Sequence, residues 1–165
     1  MLMSAKTLTL APNRSLKEQS SCVEKFNGDL RQLVCDMIET MYANDGIGLA
    51  APQIGLAVQV FVASPKQKRG EELILVNPTL EAISGSVSFV EGCLSVPNKW
   101  ARVKRAAYVR MTGQDIRGKP ISVEANGLLA VVLQHEFDHL QGKLFIDRLP
   151  WFRRCRINLG LRRLS

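Results

Sequence analysis

From residue 30 onward, apolar side chains recur at Leu30, Leu33, Val34, Met37, Ile38, Met41 and Tyr42, a spacing that only a helix brings onto one face. The pattern predicts a helix over 29–44, with Asp29 capping its start. Asn44, Asp45 and Gly46 would end it, because such residues tolerate left-handed backbone. Short runs of β-branched and apolar residues, bounded by Gly or Pro, predict strands over 57–63, 72–76 and 84–90. Residues 102–112 and 121–124 flank Asp115, Gly118 and Pro120, the turn chemistry of a hairpin. A second helix is expected to start near Asn126 and Gly127, carry His135 and His139, and stop at Gly142. The polar stretch 66–72 reads as an exposed loop. Helix, strands, helix, without regular βα alternation, predicts an α+β fold of mostly antiparallel sheets packed around the second helix.

Composition narrows the class. The chain has 165 residues, 46% of them hydrophobic and 22% charged, which suits one compact domain over 1–165 with a substantial core and excludes wholesale disorder. The longest unbroken apolar run, 128–133, falls far short of the roughly 20 residues of a membrane span. Residues 1–10 do not read as a signal or transit peptide, so a bacterial cytoplasm is expected over an organelle. The four cysteines form no CxxC pair, which favours a reducing compartment; Cys22, Cys35 and Cys155 are expected to be buried structural thiols. The net charge is +7, and Arg153, Arg154, Arg156, Arg162 and Arg163 follow Pro150 with no acid among them. The basic excess therefore belongs to a short tail, 153–165, expected to be solvated and able to touch RNA or another polyanion.

Three segments carry chemistry. Gln134-His135-Glu136-Phe137-Asp138-His139 contains HExxH on the second predicted helix, and the i, i+4 spacing sets both imidazoles on one face, where a single metal can meet them. These are the only two histidines in the chain. Glu136 would then stand beside a metal-activated water. Catalytic sites of this kind commonly use three protein ligands. Asp147 is the only acid after His139 and is too close in sequence to turn back. Cys93, in Glu91-Gly92-Cys93-Leu94-Ser95, is the other candidate, since a thiolate suits Zn²⁺ or Fe²⁺; its plainer alternative is a buried structural thiol. In the third segment, 46–53, Gly46, Gly48 and Ala51 spell GxGxxA. A dinucleotide fingerprint must leave a strand and open a helix, whereas this one leaves a helix and reads as a flexible loop. What it offers is Gln53, an uncharged amide that can donate to an oxyanion.

Together GIGLAAPQ, EGCLS and HEFDH resemble the hallmarks GxGxAAxQ, EGCLS and HExDH of the peptide deformylase family, in the same order and within a likeness spanning about residues 8–149. The resemblance implies a metal-dependent hydrolase that removes the formyl group from N-formylmethionyl nascent peptides and releases formate. It assigns Cys93, His135 and His139 as metal ligands and Glu136 as general acid/base. Gln53 and the backbone N–H of Leu94 would surround the formyl oxygen. Ile47, Phe89, Leu128, Val131 and Val132 would form the methionine pocket, although periodicity alone explains the helical members of that set equally well as core. Gly46 and Gly48 would admit the substrate backbone beside the loop edge, and Gly92 would also lie against substrate.

Fe²⁺ is the metal the resemblance implies in the cell, while a Cys/His/His set also accepts Zn²⁺, Ni²⁺ or Co²⁺. Asp138 is expected to anchor its helix through Arg105. Trp100, unusual at its position, is expected to pack on the core rather than shape the substrate mouth. The tail is shorter than the long basic helix of some family members; ribosome contact through it is an expectation, and sequence-specific nucleic-acid binding is not. The ligand set also admits a small metalloprotease, and the tail a deformylase-like binding protein.

Overall fold

A computed structural model describes residues 4–161 of the chain. Its elements run α1 (Gly28–Ala43), β1 (Gly48–Ala50), β2 (Val60–Ala63), β3 (Leu73–Ser84), β4 (Val87–Cys93), β5 (Val96–Arg105), β6 (Tyr108–Gln114), β7 (Pro120–Asn126), α2 (Gly127–Leu140) and α3 (Trp151–Leu161). Five strands form one sheet in the order β1-β2-β3-β6-β7, and β4 and β5 form a separate two-stranded ribbon. Every pairing between these strands is antiparallel, as the α+β prediction requires.

The site sits where it does because β2 is buried on both faces. Alternate residues of a strand point to opposite sides. Phe61 and Ala63 join Leu75, Val109 and Met111 in a cluster under Ala130, Val132, Leu133 and Leu140 of α2. Val60 and Val62 join Val76 and Leu49 under Leu30, Val34, Met37 and Met41 of α1. The sheet thus separates the two helices, with α2 held against one face. A third cluster, including Val96, Val103, Leu144, Phe145 and Ile146, fastens the β4–β5 ribbon to the chain that follows α2. That anchorage carries the end of β4 to the side of the HExxH helix.

Several elements differ from the sequence prediction, each for a local reason. The α1 cap is Asn27, whose side chain accepts from the N–H groups of Asp29 and Leu30, rather than Asp29. The helix does end at Asn44, followed by Asp45 in left-handed backbone (φ 54°). Segment 46–53 is not a flexible loop: residues 48–50 form β1, the edge strand, and Ala51–Ile54 a 3-10 turn. β3 runs on through Asn77-Pro78 because a bulge there absorbs the missing proline N–H. Asn77 clamps it, accepting from Val23 N–H and donating to Val23 C=O and Gln114. Ser84 ends β3, so the predicted strand 84–90 begins at Val87 and extends to Cys93.

The predicted strand 102–112 is two strands in different sheets, broken at 106–107; the β6–β7 hairpin around Asp115 and Gly118 stands. α2 ends at Leu140 with Gln141 as its cap, and Gly142 follows in left-handed backbone at φ 66°; a Cβ there would lie 2.4 Å from the Lys17 carbonyl oxygen, so the position is closed to other residues. Cys22 and Cys155 are exposed and Cys35 half-buried, so none of the three is the buried thiol expected. The described part of the basic tail lies in the helix Trp151–Leu161 with Arg153, Arg154 and Arg156 exposed, as expected of a solvated segment; Arg162 and Arg163 lie outside the described residues. Among the described residues, no helix is long and apolar enough to cross a membrane.

Candidate metal centre and active-site cavity

α2 places His135 and His139 on one face, ring centroids 5.1 Å apart, as i, i+4 geometry demands. The end of β4 delivers Cys93 to the same point: its Sγ lies 3.2 Å from His139 Nε2. One ligating atom from each of the three residues falls within 4.8 Å of the others. A soft sulfur and two imidazole nitrogens at that separation fit a borderline divalent cation such as Zn²⁺ or Fe²⁺ and are a poor match for Mg²⁺ or Ca²⁺. Asp147 is elsewhere, accepting from Leu144 N–H and paired with Lys17.

The ligands are held from behind by a network the sequence reading did not assemble. His135 Nδ1 donates to Glu91 Oε2 at 2.9 Å, which turns its other nitrogen toward the cluster. Arg105 of β5 grips both oxygens of Glu91 at 2.7 and 2.9 Å and reaches Asp138 of α2 at 2.6 Å. The predicted Asp138–Arg105 pair is therefore present, and Arg148 also donates to Asp138. Burial alone would raise the Glu91 carboxyl; the hydrogen bonds and charges of Arg105 and His135 outweigh it and hold the group at about 2. One signal for Glu91 was readable, since an acid two residues from a ligand is a natural second partner for a ligating histidine. Its pairing with Arg105 required the ribbon to fold.

Glu136 stands apart from this network. It is 3% exposed, and its Oε2 is buried without a hydrogen-bond partner. Burial, aided by the charges of Glu91 and Asp138 and opposed by those of His135 and Arg105, pushes its carboxyl up to about 7. A group poised near neutrality can both take and return a proton. The explanation for Gly48 lies here, because a Cβ at that position would lie 2.3 Å from Glu136 Oε1. Gln53 is oriented by accepting from Ala50 N–H at 2.8 Å, so its Nε2 end faces Cys93 Sγ at 3.4 Å and Ser95 Oγ at 3.3 Å.

A cavity of about 640 Å³ opens over these groups. Gln53, Gly92, Cys93, Leu94, His135 and Glu136 are among its lining residues. The apolar residues named from the sequence line it as well: Ile47, Phe89, Leu128, Val131 and Val132, together with Gly48. His139 is 1% exposed and sits behind this surface. Trp100 departs from expectation. It is 66% exposed and borders the cavity mouth instead of packing on the core.

The polypeptide deformylase family matches residues 5–154 of the chain. The chain belongs to that family. Solved deformylases agree in structure. One from Legionella pneumophila is 38% identical with a TM-score of 0.93, covering 98% of this chain and 95% of its own. Peptide deformylase 1B of Arabidopsis thaliana, in complex with an inhibitor, is 39% identical with a TM-score of 0.89, covering 95% of this chain and 88% of its own. The Ehrlichia chaffeensis enzyme in complex with actinonin is 36% identical with a TM-score of 0.91, covering 99% of both chains. This deformylase is accordingly a metallohydrolase that removes the formyl group from nascent peptides, and its Cys93, His135 and His139 form a metal-binding group.

Proposed function

We propose that Cys93, His135 and His139 hold one divalent cation, Fe²⁺ in the cell, and that Glu136 is the general acid/base of formyl hydrolysis. The observation that carries this reading is that Cys93 and His135, with His139 close behind them, and Glu136 with its partnerless Oε2 line a single cavity. When bound, the cation supplies a Lewis acid that acidifies water and polarises the formyl oxygen. Glu136 takes the proton of the attacking water. Gln53 Nε2–H and the Leu94 N–H donate to the formyl oxygen as it gains negative charge, one such donor being worth about 3 kcal/mol. Glu136 then returns the proton to the amine nitrogen as the C–N bond breaks, leaving formate and a free amino-terminal methionine. Ile47, Phe89, Leu128, Val131 and Val132 hold the methionine side chain, while Gly48 and Gly92 admit the peptide backbone.

The test pairs metal analysis of anaerobically purified protein with a formate-release assay on formyl-Met peptides. Iron near one equivalent and turnover of formylated peptides are expected. Cleavage of unformylated peptides instead would favour a protease with the same ligands. In Cys93→Ala the metal content falls to a small fraction of wild type, because a site of three ligands loses its sulfur; wild-type metal content in that variant would withdraw Cys93 as a ligand.

The partner that brings the substrate is the translating ribosome. Trp151 and Phe152 are exposed on α3 beside exposed Arg153, Arg154 and Arg156, a combination suited to a polyanionic surface. Deleting 153–165 is expected to reduce co-pelleting with ribosomes at low salt, and unchanged pelleting would remove this role. The cysteines among the described residues are free thiols, which supports a reducing setting such as a bacterial cytoplasm.

A further inference from the structure

Among the described residues, four of the large apolar side chains that remain exposed, Leu10, Val90, Trp100 and Leu128, line the one active-site cavity. Exposed apolar surface gathered at one place marks a contact surface. On the outward face of the β4–β5 ribbon the paired positions are Ser88 with Lys104, Val90 with Arg102, and Gly92 with Trp100. That face turns from polar to apolar as it approaches the cavity. At the rim, a Cβ on Gly92 would lie 2.8 Å from Trp100 Nε1. The indole therefore lies across the Gly92 backbone, one residue from Cys93, and the absence of a side chain at Gly92 is what lets it do so.

We propose that Trp100 is a specificity-determining residue, whose exposed indole packs against an apolar or aromatic side chain in the two residues after the formyl-methionine. The proposal rests on the deformylase reading of the same cavity. A methionine side chain seated against the buried Val131 and Val132 leaves the peptide only the mouth as an exit, and Trp100 and Val90 border that mouth. Glycine or aspartate at those positions brings no apolar or ring surface to the indole. An aromatic one removes apolar area from water and adds ring stacking, together worth about a tenfold preference.

The experiment compares formyl-Met-Gly-Gly, formyl-Met-Phe-Gly, formyl-Met-Gly-Phe and formyl-Met-Asp-Gly on wild type, Trp100→Ala and Trp100→Phe, all as metal-replete full chains. In wild type, phenylalanine at one of the two positions is expected to raise kcat/KM about tenfold over glycine through a lower KM. Trp100→Ala loses that ratio, and Trp100→Phe keeps part of it. Fluorescence offers a second readout: in a Trp151→Phe background, Met-Phe-Gly or Met-Gly-Phe should shift the Trp100 emission while Met-Gly-Gly does not. An unchanged phenylalanine-to-glycine ratio in Trp100→Ala, or no such preference in wild type, overturns the proposal while leaving the deformylase reading intact. Failure to turn over any of the formyl peptides would overturn both.

Discussion

Replacing Glu136 with alanine is expected to lower kcat for a formyl-Met peptide by about a thousandfold or more, while the metal content stays at the wild-type level. Two features of the site separate these effects. The metal-binding group consists of Cys93, His135 and His139, and Glu136 is not among them. Its own carboxyl has one oxygen against Gly48 and the other buried without a partner, so it supports no neighbouring structure that would collapse on truncation. Burial has brought it to about 7, where a carboxyl exchanges protons readily with water and with an amine leaving group. A proton transferred only during reaction affects kcat, with KM changed much less. Glu136→Gln, which keeps size and polarity, should be as inactive as alanine. Formate release with metal content measured on the same samples checks the pair, and a loss of less than tenfold in kcat would remove Glu136 from the proton-transfer role.

Arg105→Met should cost about 3–5 kcal/mol of folding stability and lower Tm by roughly 10 °C. Arg105 is 4% exposed and bonds two acids, Glu91 and Asp138, that are 6% and 3% exposed. Removing the cation leaves buried negative charge that Arg148, bonded only to Asp138, does not reach. The acid response follows with a definite sign. Glu91 is held at about 2, below its ordinary 4.5, so its contribution is complete above pH 4.5 and is lost as the pH falls toward 2. Without Arg105, burial dominates and the carboxyl rises, so the variant begins to lose stability at a higher pH than wild type. Thermal melts across pH 2 to 7 measure both effects; a Tm within 2–3 °C of wild type would show that the triad is not a structural support.

Much of the architecture was readable wherever one local period dominated. The α1 stripe and the spacing of His135 and His139 depend only on 3.6 residues per turn, and both stand in the structure. The strands were harder to place. Asn77-Pro78 reads as a stop, but β3 bulges through it because Val23, distant in sequence, satisfies the Asn77 amide. Residues 102–112 read as one strand because apolar periodicity carries no record of which sheet a residue joins; Arg105 ends the ribbon and Tyr108 begins again in the large sheet.

The identities of the reactive groups were thus local information: two histidines four apart, an acid between them, a cysteine beside glycine, and an amide in a small-residue segment. Each is a chemical type at a spacing, and such facts survive in a linear string. Their meeting was not local. The approach of Cys93 to His139, the grip of Arg105 on Glu91, and the burial that lifts Glu136 all depend on where the β4–β5 ribbon docks against α2. Trp100 shows the same division from the other side, since its size suggested core and only the docking of its strand left it at the mouth. Distances, burial and charge fields are sums over residues far apart in sequence, so they come into being only when the chain is folded.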